Sequence, residues 1–531
     1  MKISSSKIVE IKNLTFSYKN NQTSILNNLS LDIKKGEHLA IIGASGCGKS
    51  TFAKAIVQML PNDSIINGKV IVNGKDISQL NKEELKVFRR TMFGFIYQDS
   101  IKKLNPLMTV GDHLFELFRI HMRRKSNVAI KQMVVSTFNK VGISQERLNA
   151  YPHEFSGGMR QRVSIALALA LNPQLLIADE PTTSLDSHTS YQIMKELLCL
   201  CKEFGSTLVL ISHDINLASV WCQKIAIMDK GSFEEYGDIR KILNSPHSEI
   251  GKKLVNSTKL DLTPNDKSKV SSEAILEVIN LRYWFKLNSS IIKPRWNKAL
   301  NQVSFKLFKN ETLGIVGMSG SGKSTLSRAL TGLIKVRGGK INFLRSETIF
   351  NNRKINKAKN IQIIFQDPFS TLNPKMTIKN ILEDVYLINN KTEKKIISQE
   401  IKYFLRKVNL PINDNFMNSY PNELSGGQLQ RVSIVKSLLI RPEILICDES
   451  VNMLDASVKT EILYLLRKIQ DNMNLSIIFI THDLGLAKMF CNRLLVMSNG
   501  KIVEEGFPNE IFDKPVHFVT KKLLKSSLNI N

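Results

Sequence analysis

The sequence predicts an α/β fold built twice, as two tandem modules that each carry a mainly parallel core sheet. Gly43-Ala-Ser-Gly-Cys-Gly48-Lys49-Ser50-Thr51 returns as Gly317-Met-Ser-Gly-Ser-Gly322-Lys323-Ser324-Thr325, and both runs fit the phosphate-loop pattern G-x-x-x-x-G-K-[ST]. Each follows a short apolar run, Leu39 to Ile42 and Leu313 to Val316, of the kind that forms a buried parallel strand. Each then opens a helical pattern. Phe52, Ile56, Met59 and Leu60 share one face in the first copy, as do Leu326, Leu330 and Leu333 in the second.

The loop chemistry follows from the charge of a triphosphate. Gly43, Gly46 and Gly48, and likewise Gly317, Gly320 and Gly322, let the backbone turn several N–H groups inward, where the next helix adds the positive end of its dipole. Ser45 and Thr51, with Ser319 and Thr325, complete the expected nucleotide contacts. Lys49 and Lys323 reach the β and γ phosphates, and Ser50 and Ser324 ligate Mg²⁺.

The repeat extends well past the loops. Tyr97-Gln98-Asp99 aligns with Phe365-Gln366-Asp367, and Leu104-Asn105-Pro106 with Leu372-Asn373-Pro374. Ser156-Gly-Gly-Met-Arg-Gln-Arg162 aligns with Ser425-Gly-Gly-Gln-Leu-Gln-Arg431. The apolar runs ending in Asp179-Glu180 and Asp448-Glu449 correspond, as do Ser184-Leu-Asp186 with Met453-Leu-Asp455, and Ser212-His213 with Thr481-His482. Between Gln98 and the first Ser-Gly-Gly run, Val110, Leu114, Leu117 and Phe118 recur at helical spacing; Ile378, Ile381, Leu382 and Val385 do so in the second half. Each module therefore has a small helical subdomain. The polar stretch Asn256 to Ser272 lacks periodicity and reads as a linker. The expected domains are 1–255 and 273–531.

Bulk composition narrows the function classes. No apolar run approaches the ~20 residues that cross a bilayer, and the N-terminus has no signal-peptide core, so the chain is expected neither to span a membrane nor to be exported. The six cysteines form no C-x-x-C pair and no zinc spacing. Cys47 lies inside the first loop, where a helix N-terminus is expected to lower its pKa and ATP to shield it from alkylation. The formal net charge is +27. It fits composition drift in a Lys-, Asn- and Ile-rich chain, an anionic membrane surface, or nucleic acid; the last is disfavoured because the charges are spread and no RNA-reading motif accompanies them.

The Ser-Gly-Gly runs in this setting resemble the signature of ABC transporter ATP-binding subunits, over nearly the whole chain. The Gln-Asp and Leu-Asn-Pro elements are similar to the dipeptide, oligopeptide and nickel uptake branch, with two subunits fused into one chain. The resemblance implies two P-loop NTPase (ABC ATPase) domains, each with an antiparallel β subdomain and a helical signature subdomain. It implies ATP and Mg²⁺ as cofactors, with each ATP between the loop of one domain and the signature of the other. One site would use Lys49, Ser50, Gln98, Asp179, Glu180 and His213 with Ser425, Gly427 and Gln428. The other would use Lys323, Ser324, Gln366, Asp448, Glu449 and His482 with Ser156 and Gly158.

Within that picture Asp179 and Asp448 hold the metal through water, as Gln98 and Gln366 help to do, and Glu180 and Glu449 are general bases. His213 and His482 hold the attacking water in line, and Tyr18 and Phe285 stack on adenine. Phe285 also has a core reading, because Lys286 to Lys298 is an insertion. The implied function is an importer ATPase at the cytoplasmic face of the membrane, with two transmembrane permeases and an extracytoplasmic substrate-binding protein as partners. A non-transport ABC ATPase acting on ribosomes is the alternative, disfavoured by the short, proline-broken linker. No cysteine follows Cys491, so no iron–sulfur cluster is expected.

Overall fold

The structure is a computed structural model that describes residues 7–19, 24–44, 46–61, 63–98, 104–182, 185–258, 270–287, 295–344, 360–389, 394–451, 454 and 456–528. The chain divides into two compact units whose bulk lies on either side of the predicted linker. The helix Glu249–Thr258 runs into that stretch past the expected boundary at 255, and 259–269 lies outside the described residues.

In the first unit a six-stranded sheet runs in the order Ser232–Asp238, Lys224–Asp229, His38–Ile42, Thr207–Ser212, Leu175–Asp179, Phe93–Ile96. Only its first pair is antiparallel. Alternate side chains of the strands enter different cores, as the period of two requires. Leu39, Ile41, Leu175 and Ile177 pack with Phe52, Ile56 and a four-stranded antiparallel sheet built around Lys7–Tyr18. Ala40, Ile42, Leu176 and Ala178 face Leu114, Phe118 and Phe138 of the helical subdomain. Each such large apolar side chain contributes about 1.5–3 kcal/mol on burial, so the strand carrying the phosphate loop is clamped from both sides.

The second unit repeats this plan. Its six strands run Ile361–Ile364, Ile444–Asp448, Ser476–Thr481, Thr312–Val316, Arg493–Ser498, Lys501–Gly506, with only the last pair antiparallel. A three-stranded antiparallel sheet covers one face. The insertion lengthens its hairpin to Ala274–Leu287 and Arg295–Phe308, while 288–294 lies outside the described residues.

The predicted helical subdomains are present as Val110–His121 and Asn127–Lys140, and as Ile378–Asn389 and Lys394–Lys407. Thr109 and Ser126 cap the first pair by accepting from Asp112 N and Ala129 N, the usual way to satisfy open helix donors. The helices after the phosphate loops are shorter than expected. They end at Ile56 and Leu330, because Gln58 and Gly332 take left-handed backbone conformations. Met59 and Leu333 therefore leave the apolar face and are exposed. No helix among the described residues is long and apolar enough to cross a membrane.

Candidate functional site

Both phosphate loops sit at the carboxyl end of a central strand, the edge where open α/β sheets collect their ligands. A side chain at Gly43 would lie 2.2 Å from the Met228 carbonyl oxygen, and one at Gly317 2.4 Å from that of Met497, so the loops can pass there only as glycine. Gly48 and Gly322 precede the helices Lys49–Ile56 and Lys323–Leu330 at φ 109° and 106° and offer no side-chain cap. The first-turn N–H groups stay available to an anion. Ser45 lies outside the described residues; Gly46 and Gly320 are left-handed, Ser319 is exposed, and Thr51 and Thr325 are half-buried in the first helical turn.

The lysines are folded back onto their loops. Lys49 Nζ donates to the Gly43 and Ala44 carbonyls, each at 2.8 Å; Lys323 Nζ donates to Gly317 at 2.7 Å and Met318 at 3.0 Å. Burial pushes the Lys323 ammonium below its usual range against the pull of Glu449, whose Oε1 is 3.9 Å away. Ser50 Oγ donates to Asp179 Oδ1 at 3.1 Å, and Ser324 Oγ lies 3.4 Å from Asp448 Oδ1. Both aspartates are buried, and desolvation raises their carboxyl pKa values although serine hydroxyls oppose the shift. Ser327, unnoticed in the sequence, places its hydroxyl 2.7 Å from Asp448 Oδ2.

One residue beyond each aspartate the chain takes a left-handed turn, with φ 47° at Glu180 and 50° at Glu449. Their amides donate at 2.9 Å to the Ile211 and Ile480 carbonyls of the neighbouring strands, which holds a conformation that glutamate otherwise avoids. Gln98 Nε2 donates to Glu180 Oε2 at 2.8 Å, and His213 Nδ1 lies 3.2 Å from Glu180 Oε1. In the second unit Gln366 Nε2 donates to Glu449 Oε2 at 3.2 Å, with His482 Nδ1 at 3.5 Å from the same carboxylate. Residues far apart in sequence thus converge as two similar constellations.

These loops, strand-end carboxylates and signature runs lie within residues 26–183 and 300–452, the segments that match the family described as ABC transporter. The chain belongs to the ABC transporter family. It is an ABC ATPase, binding ATP and coupling its hydrolysis to transport. It is 33% identical over 95% of its length to a peptidoglycan transport ATP-binding protein, YejF, of Agrobacterium fabrum, covering 93% of that protein. An uncharacterized ABC transporter ATP-binding protein, YejF, of Escherichia coli is 34% identical over 98% of this chain and 99% of its own. A glutathione import ATP-binding protein, GsiA, of Escherichia coli is 32% identical over 97% of this chain and 89% of its own.

The ABC signature runs open the helices Gly157–Leu169 and Gly426–Leu438, whose N-caps are the exposed Ser156 and Ser425. In the second copy Gln428 completes a capping box, its Oε1 accepting from Ser425 N at 3.0 Å while Ser425 Oγ accepts from Gln428 N at 3.3 Å. Met159 stands in the matching place and cannot return that bond; it packs against the helical core instead. Leu429, which stands where the first copy has Arg160, is fully buried. Gly158 and Gly427 face Thr189 and Val458 so closely that a Cβ would come within 2.7 and 2.9 Å of them.

Tyr18 and Phe285 expose 38% and 43% of their surface and meet Phe16 and Tyr283 edge-on, so Phe285 is not a core residue. Asp99, Ser184, Met453 and Asp455 lie outside the described residues. The expectation for Cys47 is corrected: the residue is buried, and desolvation raises its thiol pKa despite nearby Lys49. The helix terminus does not outweigh the loss of water around the thiolate.

Proposed function

We propose that this chain is the ATPase subunit of an importer for peptides or a related small solute, with two hydrolytic sites each completed by the signature of the other domain. The observation that carries the reading is the convergence on one glutamate in each unit: Gln98 and His213 at Glu180, Gln366 and His482 at Glu449. A carboxylate tethered in this way is aimed by groups that also face the phosphates. The names of the relatives, which speak of peptidoglycan transport and glutathione import, favour a peptide-like cargo over nickel. The fusion of two domains around a 256–272 linker, between domains at 1–255 and 273–531, supplies both halves of the ATPase.

On this reading Lys49 and Lys323 exchange their loop carbonyls for β and γ phosphate oxygens. Glu180 and Glu449 accept the proton of the attacking water, a role that supplies roughly 10²–10⁴-fold in rate. With Nδ1 of His213 engaged by Glu180, its other ring nitrogen serves the γ phosphate. Ser156 and Ser425, with Gly158, Gly427 and Gln428, face the γ phosphate held by the opposite domain, and Tyr18 and Phe285 stack on adenine. Ser50 with Asp179, and Ser324 with Asp448, form pairs of hard oxygen donors within hydrogen-bond reach of each other, which fit Mg²⁺. When bound there, Mg²⁺ would supply positive charge against the phosphate oxygens. Two permeases dock their cytoplasmic helices in the groove next to Gln98 and Gln366. The chain then works at the cytoplasmic face of the membrane, its positive charge suited to anionic headgroups.

Hydrolysis by site-silenced variants tests the composite sites. Glu449→Gln should leave one active site, with roughly half of the turnover. Adding Ser425→Arg to it should abolish the remainder, whereas adding Ser156→Arg should leave it. The reverse pattern would mean that each signature serves its own domain. Binding to permease-containing membranes rather than to ribosomes separates import from the ribosomal alternative.

A further inference from the structure

Behind the metal-site aspartates the two halves differ by one buried hydroxyl. Position 327, on the helix that follows Lys323, is serine; the matching position after Lys49 is Ala53. Ser327 is fully buried, with its Oγ 2.7 Å from Asp448 Oδ2 and 3.0 Å from the Ser324 carbonyl oxygen. A hydroxyl has a single proton to give, and the nearer, charged acceptor holds it more strongly. Ser324 Oγ addresses the other oxygen, Asp448 Oδ1, at 3.4 Å. Asp179 meets Ser50 at 3.1 Å through Oδ1, and Ala53 has no donor for its second oxygen.

We propose that Ser327 is a positioning residue: it holds Asp448 in its cation-binding orientation before nucleotide arrives, so that the second half takes up divalent metal with ATP more tightly than the first. This rests on the reading that Ser324 and Asp448, like Ser50 and Asp179, hold the cation. Anchoring Oδ2 stops rotation of the carboxylate and leaves Oδ1 directed at Ser324. Hydrogen-bond partners placed behind a metal-holding side chain typically change metal affinity about 10–100-fold. For a cation that keeps several of its waters the lower end, about ten-fold, is expected.

The test is a Mn²⁺ titration of the full chain with ATP, read by the electron paramagnetic resonance signal of unbound Mn²⁺. Wild type should show a tighter and a weaker site. Ser327→Ala should weaken the tighter one about ten-fold, and Ala53→Ser should tighten the weaker one. ATP binding in EDTA should be the same in all three proteins. A drop in metal-free ATP affinity as large as the metal effect would make Ser327 a packing residue and overturn the proposal, as would unchanged Mn²⁺ affinities. If Ser327→Ala fails to fold, Ala53→Ser decides: no tightening overturns the proposal. Absence of any metal-enhanced ATP binding in wild type would instead remove the cation assignment of both Ser–Asp pairs, and this inference with it.

Discussion

Asp179 and Asp448 carry charge where charge is disfavoured. Burial raises both carboxyl pKa values, which in linkage terms means the folded state binds the proton more tightly than the unfolded chain. Their contribution to stability is therefore whole below the ordinary carboxylate range and is lost as pH rises through the raised folded value. At neutral pH, without nucleotide, each aspartate burdens the fold. Asp448→Asn should raise the melting temperature of the nucleotide-free protein by a few degrees, about 1 kcal/mol, and flatten the fall in stability above the carboxylate range. Hydrolysis in that half should be lost. Scanning calorimetry between acid and neutral pH checks the first expectation, and phosphate release the second. Thiol chemistry divides the same way. Cys199 is exposed, whereas burial pushes Cys201, Cys222 and Cys447 up to about 12 and raises Cys47 as well. Mass-spectrometric mapping after brief alkylation at neutral pH should find Cys199 modified first, at a rate that ATP leaves unchanged; fastest labelling at Cys47 would contradict the burial argument.

At the scale of elements, the signature helices are held by contacts that leave no room for a methyl group. Gly158→Ala would set a Cβ 2.7 Å from Thr189 Cγ2, and Gly427→Ala one 2.9 Å from Val458 Cγ1; both partners are β-branched and stiff. Each substitution should cost about 1–3 kcal/mol in urea melts and displace the signature. Gly426→Ala, whose Cβ would meet Leu454 at an ordinary 3.7 Å, should leave stability unchanged. The strands, loops and subdomain helices were legible because short apolar runs and a helical period write them locally, twice over. What escaped was tertiary. In the run after Leu326 the apolar period continues to Leu333, but Gly332, in the left-handed conformation with which glycine commonly ends helices, stops the helix before it. The backbone of Glu180 and Glu449 is left-handed because a neighbouring strand supplies a carbonyl, not because of glutamate's own preference. Of the site itself, the residue types were readable from motif spacing, while the bonds among Gln98, Glu180 and His213 required three separate strand ends to meet. The raised thiol of Cys47 followed from burial that no local pattern records.

For the whole molecule, duplication within one chain sets two compact units, each with its own sheet pair and its own phosphate loop. In the second half Lys323, Ser324, Asp448, Glu449 and His482 are placed as their counterparts are, with Ser327 as an addition. An ATPase made of separate single-domain subunits must assemble by collision and loses partners on dilution. Here the second unit travels with the first at a local concentration fixed by the connecting segment, of millimolar order for a short tether. Hydrolysis per chain should therefore stay constant from micromolar to nanomolar protein, and an excess of either half, which unlinked genes would permit, never arises.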